Sequence, residues 1–222
     1  MPGYFTRNQL VPIGGHTYRL RVLSDKTQVA DPDGHGARLG MSAAQWSLFG
    51  QVWPAGRLLA QAMHRFDIAG KRILELGCGI GLASLVLQRR GADVVASDVH
   101  PLAEGFLAYN AALNALPTVQ YRQLRWDVPL PSLGHFDVII AGDVFYERDD
   151  ALLLIEVIAR HACPDGEVLV TDPGGEHSSR LNRLMARQGF ETLEERCPMD
   201  DRDTPPYRGR LLHYTRAPGV HA

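Results

Sequence analysis

Apolar and polar residues alternate from Thr17 to Leu23, with Tyr18, Leu20 and Val22 on one face and Arg19 and Arg21 on the other. This predicts a half-buried strand after a Gly14-Gly15 turn. Asp31 to Gly36 has the composition of a loop. At Pro54 the period changes: Leu58, Leu59, Ala62, Met63 and Phe66 recur at helical spacing, and Pro54 suits the first helical position. From Lys71 onward, short apolar runs alternate with helical stretches. Strands are predicted at Arg72–Leu76, Asp93–Ser97, Val119–Arg125, Phe136–Ala141 and Glu167–Thr171, the fourth apolar enough to be central. Helices are predicted over Leu82–Arg90 and Leu102–Leu113, from an Asp149 or Asp150 cap to about His161, and from a Ser178 or Ser179 cap to about Gly189. Pro164-Asp165-Gly166 reads as a turn. Phe190–Arg196 and Gly209–Arg216 read as two last strands with no helix between them, so one should run antiparallel. The alternation predicts an α/β, doubly wound, mostly parallel sheet. Ligands should gather beyond the carboxyl ends of its strands, which carry Gly77 to Gly81, Asp98, Trp126, Asp143 and Asp172.

The first of these strands runs into Glu75-Leu76-Gly77-Cys78-Gly79-Ile80-Gly81, and the second closes on Asp98. The glycines let the backbone turn tightly and approach a ligand where a side chain would collide. An acid at the end of the second strand can accept hydrogen bonds from two ribose hydroxyls, which narrows the ligand to an adenosine-bearing cofactor. A dinucleotide fingerprint places its third glycine three positions after the second, whereas Gly81 follows Gly79 by two. Glu75 would repel a pyrophosphate but suits the ammonium of S-adenosyl-L-methionine, directly or through water. The pattern therefore favours S-adenosyl-L-methionine over NAD.

The length of 222 residues suits one domain with an addition: an N-terminal extension (strand plus loop) over 1–50 and a main domain over 51–222. Hydrophobic content of 45% and charged content of 22% place the chain among globular proteins that need no disulfide staples. A net charge of -2 gives no global field to recruit nucleic acid, and no long apolar run predicts a membrane span. Cys78, Cys163 and Cys197 lack zinc-site spacing. With no secretory apolar segment either, the expected compartment is reducing and cytoplasmic. Arg7, Arg19 and Arg21 precede any acid, as in a transit peptide, but His16 to Leu23 reads better as a strand.

Four segments carry a resemblance: Val52-Trp53-Pro54-Ala55-Gly56; Ile73 to Gly81; Asp98 with Asn110 and Asn114; and Gly142-Asp143-Val144-Phe145-Tyr146. Together they resemble the class I, seven-strand methyltransferases that use S-adenosyl-L-methionine. More narrowly, they resemble the protein lysine methyltransferases that include the enzyme acting on the electron-transfer flavoprotein β subunit. The resemblance spans about Val52 to Thr171 and implies a Rossmann-like seven-strand sheet, a protein substrate and S-adenosyl-L-homocysteine as product. It implies that Gly77, Cys78 and Gly79 pass under the cofactor's methionine part, with Gly81 in the same turn. Asp98 would hold the ribose with Val99 beside it, and Trp126 would lie by the adenine. Trp53, Glu75 and Gly142 would line the same pocket. Trp126 as a core aromatic and Trp53 as a hydrophobic staple remain open readings. Asn110 and Asn114 read as capping and packing groups, and Cys78 as a small residue that fits.

Transfer of a methyl group from a sulfonium is an in-line displacement, so the enzyme must align the acceptor and exclude water. A lysine acceptor must also lose its proton, which partial burial favours. Asp143 is the candidate to orient the lysine nitrogen, with Phe145 and Tyr146 as aromatic faces for the methylated ammonium. Asp143 as a turn cap remains open. Asp143 and Asp172 end adjacent strands, which leaves open a Mg²⁺-assisted O-methylation. A metal-free small-molecule methyltransferase and a non-catalytic cofactor-binding protein also remain. The strand-four segment is not the Asn/Asp-Pro-Pro-Tyr/Phe of amino-methylating nucleic-acid enzymes. Oligomeric state is not legible.

Overall fold

The computed structural model describes residues 4–24, 31, 34–142, 144–145, 149–172, 176–196, 207 and 209–216. Strand β1 (Thr6–Ile13) pairs antiparallel with β2 (His16–Leu23) through Gly14-Gly15, whose φ values of 54° and 81° suit a two-residue hairpin turn. Only β2 was expected. β1 escaped because it contains Pro12, which argues against a strand, and because Leu10 points to solvent while only Val11 and Ile13 are buried. The hairpin is a separate two-stranded sheet.

Two short helices follow, α1 (His35–Arg38) and α2 (Ala43–Leu48). α1 takes over only the end of the loop predicted at Asp31 to Gly36, and α2 lies beyond it within the N-terminal extension. The Asp31 carboxylate accepts from His35 N and Gly36 N at 2.7 and 2.9 Å, which starts α1. A capping box starts α2: Gln45 N donates to Ser42 Oγ at 3.2 Å and Ser42 N to Gln45 Oε1 at 3.0 Å.

The remaining elements alternate as expected: α3 (Pro54–Arg65), β3 (Arg72–Leu76), α4 (Leu82–Arg89), β4 (Asp93–Asp98), α5 (Ala103–Leu113), β5 (Gln120–Gln123), β6 (Phe136–Gly142), α6 (Asp150–His161), β7 (Ala162–Asp172), α7 (Glu176–Arg187), β8 (Phe190–Arg196) and β9 (Arg210–Arg216). They build a seven-stranded sheet in the order β5-β4-β3-β6-β7-β9-β8. All neighbours are parallel except β9, which is antiparallel to both β7 and β8. Successive residues of the central strands enter different cores. Ile73 and Ile140 join the α3, α4, α5 and hairpin side, while Leu74 and Ile139 join the α6 and α7 side. Burial on both faces explains their continuous apolar runs. Among the described residues no helix is long and apolar enough to cross a membrane.

Three local expectations need correction. Pro164-Asp165-Gly166 is not a turn ahead of the strand at Glu167; it lies within β7, which takes five residue steps where β6 takes two. The turn residues make a bulge instead. Ser178 does not cap α7, which begins at Glu176; its buried hydroxyl donates to Asp172 Oδ2. Asp149 stands at the N-cap of α6 without a side-chain capping bond, and Asp150 is the first helical residue, buried.

Candidate functional site

The turn after β3 is held by short backbone bonds: Cys78 N to Ser97 O at 2.9 Å and Gly81 N to Cys78 O at 2.8 Å. Gly77 and Gly79 have φ of 65° and 54°, which L side chains rarely tolerate. Beside this turn lies a cavity of about 340 Å³ at the carboxyl ends of β3, β4 and β6. Trp53, Glu75, Gly77, Cys78, Gly79, Asp98, Val99, Trp126 and Gly142 all line it. Gly81 does not line it. At φ 87° it is the N-cap of α4, and a methyl group there would collide with Leu107 of α5. Asp143 and Tyr146 lie outside the described residues. Phe145 belongs to the core under α6 and is not a cavity residue, against its expected place facing the acceptor.

The carboxylates are set by backbone amides. Asp98 Oδ2 accepts from Gly79 N at 2.7 Å, and Oδ1 from His100 N at 2.8 Å. Burial raises its pKa, and these amides oppose the shift. Each oxygen keeps a further lone pair for a ligand hydroxyl. Glu75 Oε2 accepts from Ser84 N at 2.8 Å and from the Ser84 hydroxyl, which leaves Oε1 for the cavity. Burial pushes the Glu75 carboxyl up to about 7, against the Ser84 bonds that favour its charge. Burial, Asp98 and Glu75 all push the Cys78 thiol well up, so it stays protonated and acts as a small wall residue.

Trp126 lines the cavity while also packing against the core, so its two readings coexist. Trp53 is the N-cap of α3, and its Nε1 donates to Leu48 O at 2.8 Å, tying the start of α3 to the end of α2. Asn110 and Asn114 are packing groups as expected, both bonded to the backbone of β2.

The sequence reading missed a whole wall. Leu39, Met41, Gln45, Leu48, Phe49 and Gln51 close the cavity from the N-terminal side. The Ser42-x-x-Gln45 capping box was the available signal. His100 was also missed. Its ring stacks on Phe49 with centroids 3.8 Å apart, and Leu102 N donates to its Nδ1 at 3.2 Å. Burial lowers its pKa to about 3, so it is neutral. Asp150 and Leu153 of α6 complete the lining.

Comparison with known proteins follows the same lines. Residues 38–178 match the model of a family described as lysine methyltransferase. The chain is 30% identical over 157 residues to the electron transfer flavoprotein beta subunit lysine methyltransferase of Mus musculus, covering 69% of this chain and 59% of that protein. It is 30% identical over 146 residues to protein N-lysine methyltransferase METTL21A of Danio rerio, covering 62% and 66%. It is 36% identical over 106 residues to histone-arginine methyltransferase METTL23 of Homo sapiens, covering 45% and 56%. The chain thus spans roughly half to two-thirds of these relatives. Among solved structures, the T. thermophilus 16S rRNA N2 G1207 methyltransferase in complex with AdoMet and guanosine superposes with TM-score 0.65 at 22% identity, covering 97% of this chain and 52% of that one. That likeness is one of fold.

Proposed function

Since the chain belongs to the lysine methyltransferase family, we propose that it transfers methyl groups from S-adenosyl-L-methionine to a lysine side chain of a protein substrate. The observation that carries this reading is the convergence of the glycine turn, Glu75 and Asp98 on one cavity. The residues fit the donor. A methyl group added at Gly79 would meet nothing within 4 Å, so the floor is open where a ligand must approach the backbone. Asp98 would offer two oxygens to two ribose hydroxyls, and Glu75, which lines the same cavity, would meet the ammonium. Val99, Leu124 and Trp126 give apolar surface for the adenine. When bound, S-adenosyl-L-methionine supplies a methyl carbon activated by a sulfonium, and S-adenosyl-L-homocysteine remains afterwards.

The chain's own residues have the rest of the task. The acceptor nitrogen must arrive neutral, although a free lysine has a pKa of about 10.4; passage into a half-apolar cavity favours that form. Asp143, next after Gly142 at the end of β6, is proposed to hold an N–H of the incoming amine and align its lone pair. It would also favour the positive charge that develops there. Tyr146 is proposed to flank the same nitrogen. A carboxylate is too weak a base to deprotonate lysine efficiently, so the ammonium gives up its proton to hydroxide or buffer base in the solvent before transfer, and the neutral amine attacks. The wall formed by Leu39 to Gln51 excludes bulk water from the donor half.

The same proposal treats 51–222 as the catalytic domain, with 1–50 supplying part of its wall. It places the protein in the cytoplasm, in keeping with the free thiols of Cys78 and Cys163. Incubating the protein with methyl-labelled donor and an extract of the source cells tests the reading. Label recovered as methyllysine in a protein band is expected. Label confined to small molecules overturns it, and label in methylarginine moves the acceptor to a guanidinium, as in the METTL23 relatives' name. Asp143→Ala should lower kcat/KM about 100-fold with S-adenosyl-L-homocysteine affinity intact.

A further inference from the structure

Asn110 and Asn114 face the outer edge of β2 from α5 and pair with it as a neighbouring strand would. Arg21 N donates to Asn110 Oδ1 at 2.7 Å, and Asn110 Nδ2 returns to Arg21 O at 3.4 Å. Arg19 N donates to Asn114 Oδ1 at 2.9 Å, and Asn114 Nδ2 returns to Arg19 O at 2.8 Å. The Arg21 guanidinium also lies over the Tyr109 ring of the same helix at 4.6 Å.

The two asparagines differ in one respect. Asn110 is fully buried, and its Nδ2 also donates to Ile80 O at 3.0 Å. Ile80 lies between Gly79, whose N–H sets Asp98, and Gly81, which packs against Leu107 one helical turn before Asn110. Asn114 reaches the hairpin and the Asn110 carbonyl, at 2.7 Å, but not the glycine turn. One carboxamide therefore joins the hairpin to the cofactor turn, although no residue of the hairpin lines the cavity.

We propose that Asn110 is a positioning residue for the cofactor turn, and that through it docking of the N-terminal hairpin and binding of the methyl donor favour each other. The proposal rests on the donor site assigned above. A glycine turn has many backbone states, and binding must select one. The Asn110 amide fixes the Ile80 carbonyl in advance, and its second and third bonds need the hairpin in place. Linkage then makes the effect reciprocal: whatever factor the docked hairpin adds to donor affinity, the bound donor adds to docking.

Calorimetry with S-adenosyl-L-homocysteine and amide hydrogen exchange test this. In the wild type, saturating S-adenosyl-L-homocysteine should slow exchange of the Arg19 and Arg21 amides by about 5-fold or more, the lower range of measured couplings. Asn110→Ala should weaken S-adenosyl-L-homocysteine at least 5-fold and raise KM for the donor more than it lowers kcat. Asn114→Ala, which frees the hairpin edge at Arg19 but leaves the Ile80 contact, should weaken binding by less than twofold. Unchanged β2 exchange on binding overturns the proposal without any variant having to fold, and so does equal affinity of wild type and Asn110→Ala. A wild-type protein that binds no S-adenosyl-L-homocysteine overturns the donor site itself, a result distinct from either.

Discussion

At Glu75, burial and a hydrogen-bonded serine act in opposite directions, and burial wins: the carboxyl titrates near 7 rather than near its ordinary 4.5. A group that holds its proton more tightly in the folded chain lends stability at low pH and loses it as pH rises. The window runs from about 4.5 to about 7, and the loss is on the order of 3 kcal/mol. Burial of His100 works the opposite way below pH 6.5, so the effect is read as a difference: in denaturant unfolding of the ligand-free protein, wild-type stability relative to Glu75→Gln should fall across that window. Asp98 is shifted the same way by its own burial. A cationic donor reverses the preference, since it binds the ionised carboxylate better. Donor affinity should therefore rise from pH 6 to pH 8 in the wild type and much less in Glu75→Gln. Gly81 gives a purely steric counterpart. Its φ of 87° and the Leu107 side chain behind it leave no room for a methyl group. Gly81→Ala should cost about 2–4 kcal/mol in chemical unfolding.

Among the elements that wall the cavity, α2 is too short to stand alone. Six residues cannot hold a helix in water without tertiary support. The Ser42–Gln45 box, the Trp53 bond to Leu48 and the Phe49–His100 stack supply that support. Ser42→Ala should cost about 1 kcal/mol and weaken S-adenosyl-L-homocysteine a few-fold in calorimetry, because this helix forms a wall of the cavity. The element-level errors of the sequence reading share one cause. Gly-Pro-Asx composition reports local backbone preference, and at Pro164 to Gly166 pairing between β6 and β7 turned that preference into a bulge. At Thr6 to Ile13, Pro12 and an exposed Leu10 concealed a strand that exists only because β2 pairs with it.

Across the molecule, the cavity proposed for the donor is built from three strand ends and an N-terminal wall, so a ligand there would tie separate parts of the chain together. S-Adenosyl-L-homocysteine at 100 times its Kd should add about 2.7 kcal/mol of stability, a rise of several degrees in Tm by calorimetry for a chain of this size. The sequence by itself determined the central sheet and the donor turn. Short apolar runs and period-3.6 burial repeat locally in the residue order, and Gly77, Gly79 and Asp98 sit at fixed short offsets from the strands that carry them. Only the tertiary structure decided what faces that turn. The Leu39 to Gln51 wall, the His100 stack and the Asn110 link from Arg21 to Ile80 join residues far apart in the chain. Such contacts leave no periodic trace, because each needs the packed sheet to bring its two halves together.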